Sequence, residues 1–139
     1  MITIHVVGTP GAQGSKRHVG RGIMVEQNKA VGPWREVVKA AVMLAYPISQ
    51  RGKDPILTRG PVSCRMYFTF RRPKSRRRDV FHASTPDADK IARSTCDALT
   101  EMGVWEDDSR VAVLHVEKHY VGGVVGLSVP GCVIEVSAL

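Results

Sequence analysis

The chain has 139 residues, 43% of them hydrophobic, and 20 Lys and Arg against 13 Asp and Glu, a net charge of +7. That is enough for one globular domain with a core, and no apolar run approaches the ~20 residues of a membrane helix. Cys64, Cys96 and Cys132 are widely spaced and form no CxxC pair, which argues against a disulfide framework or a zinc knuckle and for reduced thiols.

The start, MITIHVVGTP, has no charged leader and no long apolar stretch, so a cytoplasmic protein is expected rather than a secreted or membrane one. The basic excess points to a polyanionic partner, most often nucleic acid.

Ile2 to Val7 is β-branched apart from His5 and reads as a strand. Gly8 to Gly22 is glycine-rich and carries Lys16, Arg17, His18 and Arg21; it reads as a basic loop, either a phosphate contact or plainly solvated. Ile23 to Glu26 is a short strand. Gly32-Pro33 breaks the chain before a helix over Trp34 to Tyr46. Its expected buried face is Val37, Val38, Ala40, Ala41, Leu44 and Ala45, with Trp34 one turn earlier. Pro47 ends it, and Ser49 to Gly60 is a loop.

Val62 to Phe70 alternates on Val62, Cys64, Met66, Phe68 and Phe70, the pattern of a strand with one buried face. It runs into Arg71, Arg72, Lys74, Arg76, Arg77 and Arg78, six cations in eight positions. Pro73 and the lack of apolar periodicity make this cluster a loop.

Asp87 to Met102 follows as a helix. Ile91, Thr95, Ala98, Leu99 and Met102 share one face, while Asp89, Lys90, Arg93 and Asp97 lie opposite. Thr85 or Asp87 is placed to cap it, and Gly103 ends it. Arg110 to Val121 alternates as a strand, Gly122, Gly123 and Gly126 form a hairpin-like loop, and Cys132 to Val136 is the last strand. The expected fold is α+β: a single small domain over 1–139, with a mixed β-sheet and two main helices packed on it.

Eight of the 13 acidic residues fall between Asp79 and Asp108, beside the basic cluster. Asp87 and Asp89 stand at a helix start, where the helix dipole favours negative charge. Capping and cation binding are both open for that pair. Asp107-Asp108 alone suits an Asx turn. Carboxylates gathered beside cations also suit Mg²⁺, which takes one or two carboxylates together with phosphate and water. Two such ions can clamp an in-line attack of water on a phosphodiester.

The run from Pro86 to Val111 contains an Asp-x-Asp, an Asp-Ala-Leu on the same helix, then an aromatic and Asp-Asp. This resembles the signature of the RusA family of phage and prophage Holliday-junction endonucleases. GTPGAQGSKR, GPWREVV and Phe70 to Ser75 are also similar to family segments, so the resemblance covers most of the chain.

It implies that Asp87, Asp89 and Asp108 hold Mg²⁺, with Mn²⁺ as a substitute. It also implies a homodimer that cuts symmetric strands of a four-way junction, in a bacterial host cell. The family's helix lysine falls on Arg93, a departure that keeps the charge but cannot readily give up a proton; Lys90 is placed to assist. Lys16, Arg17, Arg21, Arg71, Arg72, Lys74, Arg76, Arg77 and Arg78 are the expected DNA contacts. A non-catalytic DNA-binding module, and a nuclease for flaps or forks, are the rival readings.

Overall fold

The computed structural model describes residues 1–13, 20, 29–47, 55–57 and 59–139, and the backbone alone of 16–18 and 24–26. Its strands are β1 (Ile2–Val7), β2 (Lys16–His18), β3 (Met24–Glu26), β4 (Val62–Phe70), β5 (Val111–Tyr120) and β6 (Gly131–Ala138). Its α-helices are α1 (Val31–Ala45) and α2 (Ala88–Glu101), and single 3₁₀ turns form at Lys74–Arg76, inside the basic cluster expected to be a loop, and at Asp108–Arg110. The main sheet runs β1-β6-β4-β5; β2 and β3 form a separate antiparallel ribbon.

β6 is antiparallel to β1 and β4, whereas β5 is parallel to β4, so the sheet is mixed. Val62, Cys64, Met66 and Phe68 are fully buried and Phe70 nearly so, as alternation demands for the helix-covered face. Ile4, Val6, Cys132, Ile134 and Val136 extend that face across β1 and β6. On α2, Ile91, Thr95, Ala98 and Leu99 are buried as expected, and Met102 is half-buried. Burying Ile91 and Leu99 stabilises the fold by roughly 1.5–3 kcal/mol each. Cys64, Cys96 and Cys132 are buried thiols; burial pushes Cys96 up to about 12, so it stays protonated.

Helix α1 keeps part of its expected face: Trp34 and Val38 are buried and Val37 and Ala41 pack against the core, but Val42 is buried too, while Ala40 and Ala45 are exposed and Leu44 is 86% exposed. Residues 37–38 and 40–45 are apolar almost all round, so periodicity cannot select the side that docks. The choice falls to Trp34, which lies 6.1 Å from the Phe68 ring and donates from Nε1 to Thr95 Oγ1 at 2.9 Å. Gly32-Pro33 does not break the chain either. It lies inside the first turn of α1, where proline costs no hydrogen bond.

Two loops differ as well. β2 forms inside the basic stretch expected to be a loop, by pairing with β3 rather than through any apolar alternation. The 121–130 connection is no hairpin, because β4 and β6 are the paired strands and β5 lies outside them. It crosses the end of β4, where Leu127 N–H donates to Thr69 Oγ1 at 2.9 Å. Gly126, at φ +95, leaves room for that hydroxyl, which a Cβ would strike. The loop expected over 49–60 lies largely outside the described residues.

Candidate active site

The topology dictates where the acidic residues fall. β4 and β5 are parallel, so the chain must return through α2 from the end of one to the start of the other. The N-terminus of α2 therefore lies at the carboxyl ends of these strands, the usual position for a site in such a unit. Its C-terminus lies at the start of β5. The helix has 14 residues, about 20 Å at ~1.5 Å per residue.

Asp87 occupies the N-cap position in an extended conformation, but its carboxylate makes no capping hydrogen bond. It is exposed, with Lys90 Nζ at 3.5 Å. Asp89 is exposed in the first turn. Both carboxylates are thus presented outward at the positive end of the helix dipole. Capping, the plain alternative for Asp87, is not the use the fold makes of it.

The acidic turn divides its work. Asp107 accepts from Ser109 N–H at 2.9 Å in an Asx turn, and the Ser109 hydroxyl together with that amide holds its pKa below the usual carboxylate range. Asp108 instead points back at α2. Its Oδ1 accepts from Thr100 Oγ1 and lies 3.4 Å from Trp105 Nε1, which also donates to Thr100 Oγ1 at 2.6 Å. Burial pushes the Asp108 carboxyl up; the Thr100 hydroxyl opposes that, and the adjoining Asp97 carboxyl adds to it.

The two acidic groups therefore stand apart. Asp97 is two helical turns beyond Asp89, roughly 12 Å along the axis, and Asp108 joins Asp97 rather than Asp87 and Asp89. The strand after Asp108 does run beside β4, but the turn that carries the residue sits at the far end of the helix. Among the described residues of one chain, no three His, Cys, Asp or Glu side chains are placed to hold a metal ion. The donors nonetheless match a hard cation in kind, being carboxylate oxygens without sulfur or imidazole.

Arg93 lies between the two groups on the same stripe and is exposed. Among the described residues no ion pair ties it to Asp97, which accepts from Gln13 Nε2 at 2.6 Å. Glu101, one turn further, is taken up by Arg35 and Lys39 of α1. The Asp97–Asp108 pairing and the support from Thr100 and Trp105 escaped sequence reasoning. Nothing in the spacing marks Trp105 as more than a core residue, and it is also buried.

In the basic loop, Arg71, Lys74, Arg76, Arg77 and Arg78 are exposed. Arg72 is spent internally. It donates to the Arg76 and Asp79 carbonyls, each at 2.6 Å, and its guanidinium lies 4.7 Å over the Tyr120 ring. It shapes the loop that presents the others. His82 is buried, stacked 4.1 Å on Phe70, and burial and Lys118 hold its pKa down. Lys16 and Arg17 lie on β2, with side chains outside the described residues, as is Arg21 altogether.

Carboxylates lining one helix face, bordered by a projecting loop of arginines, are the parts of an enzyme that cuts nucleic acid. The chain belongs to the RusA family of endodeoxyribonucleases: the family model Endodeoxyribonuclease RusA matches residues 7–135 of the 139. No curated protein matches it. Among the described residues no helix is long and apolar enough to cross a membrane.

Proposed function

We propose that the protein is a Mg²⁺-dependent, structure-selective endonuclease that resolves four-way Holliday junctions by paired nicks, as a homodimer. The observation that carries this reading is the outward pair Asp87 and Asp89, uncapped at the start of α2 and next to the exposed cations of 71–78. Asp87, Asp89 and Asp108 are the ligands for Mg²⁺, with Mn²⁺ as substitute. When bound, the ion supplies a Lewis acid and an activated water at the scissile phosphate. Arg93, with Lys90 beside Asp87, stabilises the negative charge that builds on the phosphate. The setting is recombination, repair or phage DNA processing in the cytoplasm of a bacterial host.

The homodimer is favoured by the separation of the acidic groups. One chain keeps Asp108 at the opposite end of α2 from Asp87 and Asp89. Two copies with antiparallel α2 helices bring the Asp108 of each to the Asp87 and Asp89 of the other. Each metal site then draws on both chains, and two sites face one junction.

The test is nicking of a synthetic four-way junction beside a linear duplex of the same sequence, with Mg²⁺ and with EDTA. Paired, Mg²⁺-dependent cuts on the junction alone are expected. Binding without cuts under any divalent ion would replace this reading with a non-catalytic module, and equal cutting of both substrates with a general nuclease.

The basic loop makes a separate prediction. Replacing Arg76, Arg77 and Arg78 with alanine should flatten the slope of log affinity against log salt by about 2, at roughly 0.9 per phosphate contact. The expected drop is below the full three contacts because Arg76 also pairs with Asp79 at 3.7 Å. Fluorescence anisotropy across a salt series measures it.

A further inference from the structure

Lys118 stands where a lysine is out of place. On β5 it pairs with Phe68 of β4 and is itself half-buried, in phase with Val116, which packs against the core, and Tyr120, which is buried, on the helix-bearing side of the sheet. A lysine on such a face needs partners for its charge. It has them in the segment that enters α2: Nζ donates to the Ser84 carbonyl at 2.6 Å and to the Pro86 carbonyl at 2.8 Å. Its own backbone carbonyl accepts from His82 N–H at 3.0 Å. Strand β5 thus grips residues 82–86 through main chain and side chain together.

The residue after that segment is Asp87. Its charge is felt at Lys118, partly offsetting the fall in the lysine's pKa that burial causes. An ammonium has three donors, and two are fixed on carbonyls that flank Thr85. That leaves little of the group for a DNA phosphate.

We infer that Lys118 is a positioning residue: by clamping the Ser84 and Pro86 carbonyls it fixes the backbone from which Asp87 projects, and so aims a carboxylate of the cutting site. This rests on the proposed function for its consequence, though not for the clamp itself. The competing roles, a phosphate contact or a mere brace for the fold, make different predictions. A phosphate contact sets affinity and its salt dependence. A brace sets melting temperature alone. Positioning sets the rate on bound substrate.

Lys118→Met keeps the apolar stem and removes the donors. In the full chain, single-turnover nicking of saturated junction should fall about 100-fold, the cost of a small misplacement at a reacting centre. Junction affinity in EDTA should change less than about twofold. The Ile91 amide, which donates to the Asp87 carbonyl at 3.1 Å, should exchange about tenfold faster while the sheet amides do not change.

An unchanged rate, a weakened affinity with a shallower salt slope, or an unchanged Ile91 exchange rate would each overturn the inference. Should the methionine variant fail to fold, Lys118→Gln keeps one donation and should fall between in rate and exchange. The exchange reading needs no catalysis. If the wild-type protein cuts no junction, the proposed function fails while the clamp remains testable on its own.

Discussion

Asp89→Asn should yield a protein that folds, binds a four-way junction and no longer cuts it. The substitution is isosteric, and Asp89 is exposed in the first turn of α2. Losing its charge at the helix N-terminus costs about 0.3–1 kcal/mol, small against a stability of roughly 5–15 kcal/mol. Binding should hold or tighten slightly, since a negative charge near the phosphates is removed.

Cutting should fall at least about 1,000-fold, roughly 4 kcal/mol of lost transition-state stabilisation. Gel shift in EDTA, thermal melting and nicking in Mg²⁺ read the three quantities separately. Loss of binding and of the melting transition together with cutting would sink the catalytic assignment, because it would mark Asp89 as a folding residue.

The second large effect concerns how many chains make one site. Asp108→Asn should be as inactive as Asp89→Asn, yet mixing the two variants should restore cutting. In a mixed dimer one site receives both asparagines and is dead. The other receives Asp87 and Asp89 from one chain and Asp108 from the other, and is intact. The products should then be single nicks rather than paired resolution, recovered from a background reduced at least about 1,000-fold. A mixture as inactive as its components would place each site within one chain. In that case α2 and β5 would have to rearrange on binding for Asp108 to reach Asp89.

Much of this was legible in the residues, for physical reasons that differ by element. The bounds of β4 follow from strict alternation with one face buried, and α2 is nearly as clear because its polar and apolar faces do not mix. The docking face of α1 was legible only in part, at Trp34 and Val38, since residues 40–45 are apolar without a break and carry no phase. In the site, the identity of the aspartates is in the sequence but their grouping is not. Asp97 beside Asp108 is a consequence of where the return from α2 to β5 must lie.

The choice between capping and presentation at Asp87 is a rotamer, which spacing does not encode. Lys118 did leave a trace: in RVAVLHVEKHYV it falls in step with Ala112, Leu114 and Val116, a charge on an apolar register.

The grip of β5 on both ends of α2 also limits how this chain can change length. Asp108 precedes the strand by three residues and Lys118 lies within it, so the strand is a ruler between the two. Inserting or deleting one residue there would turn Lys118 to the open side of the sheet and reverse every neighbour after it. Two residues would restore the side but move the ammonium by about 6.6 Å, beyond the carbonyls it holds. Natural variation in length should therefore accumulate in the 121–130 loop, and the span from Asp108 to Lys118 should keep its count.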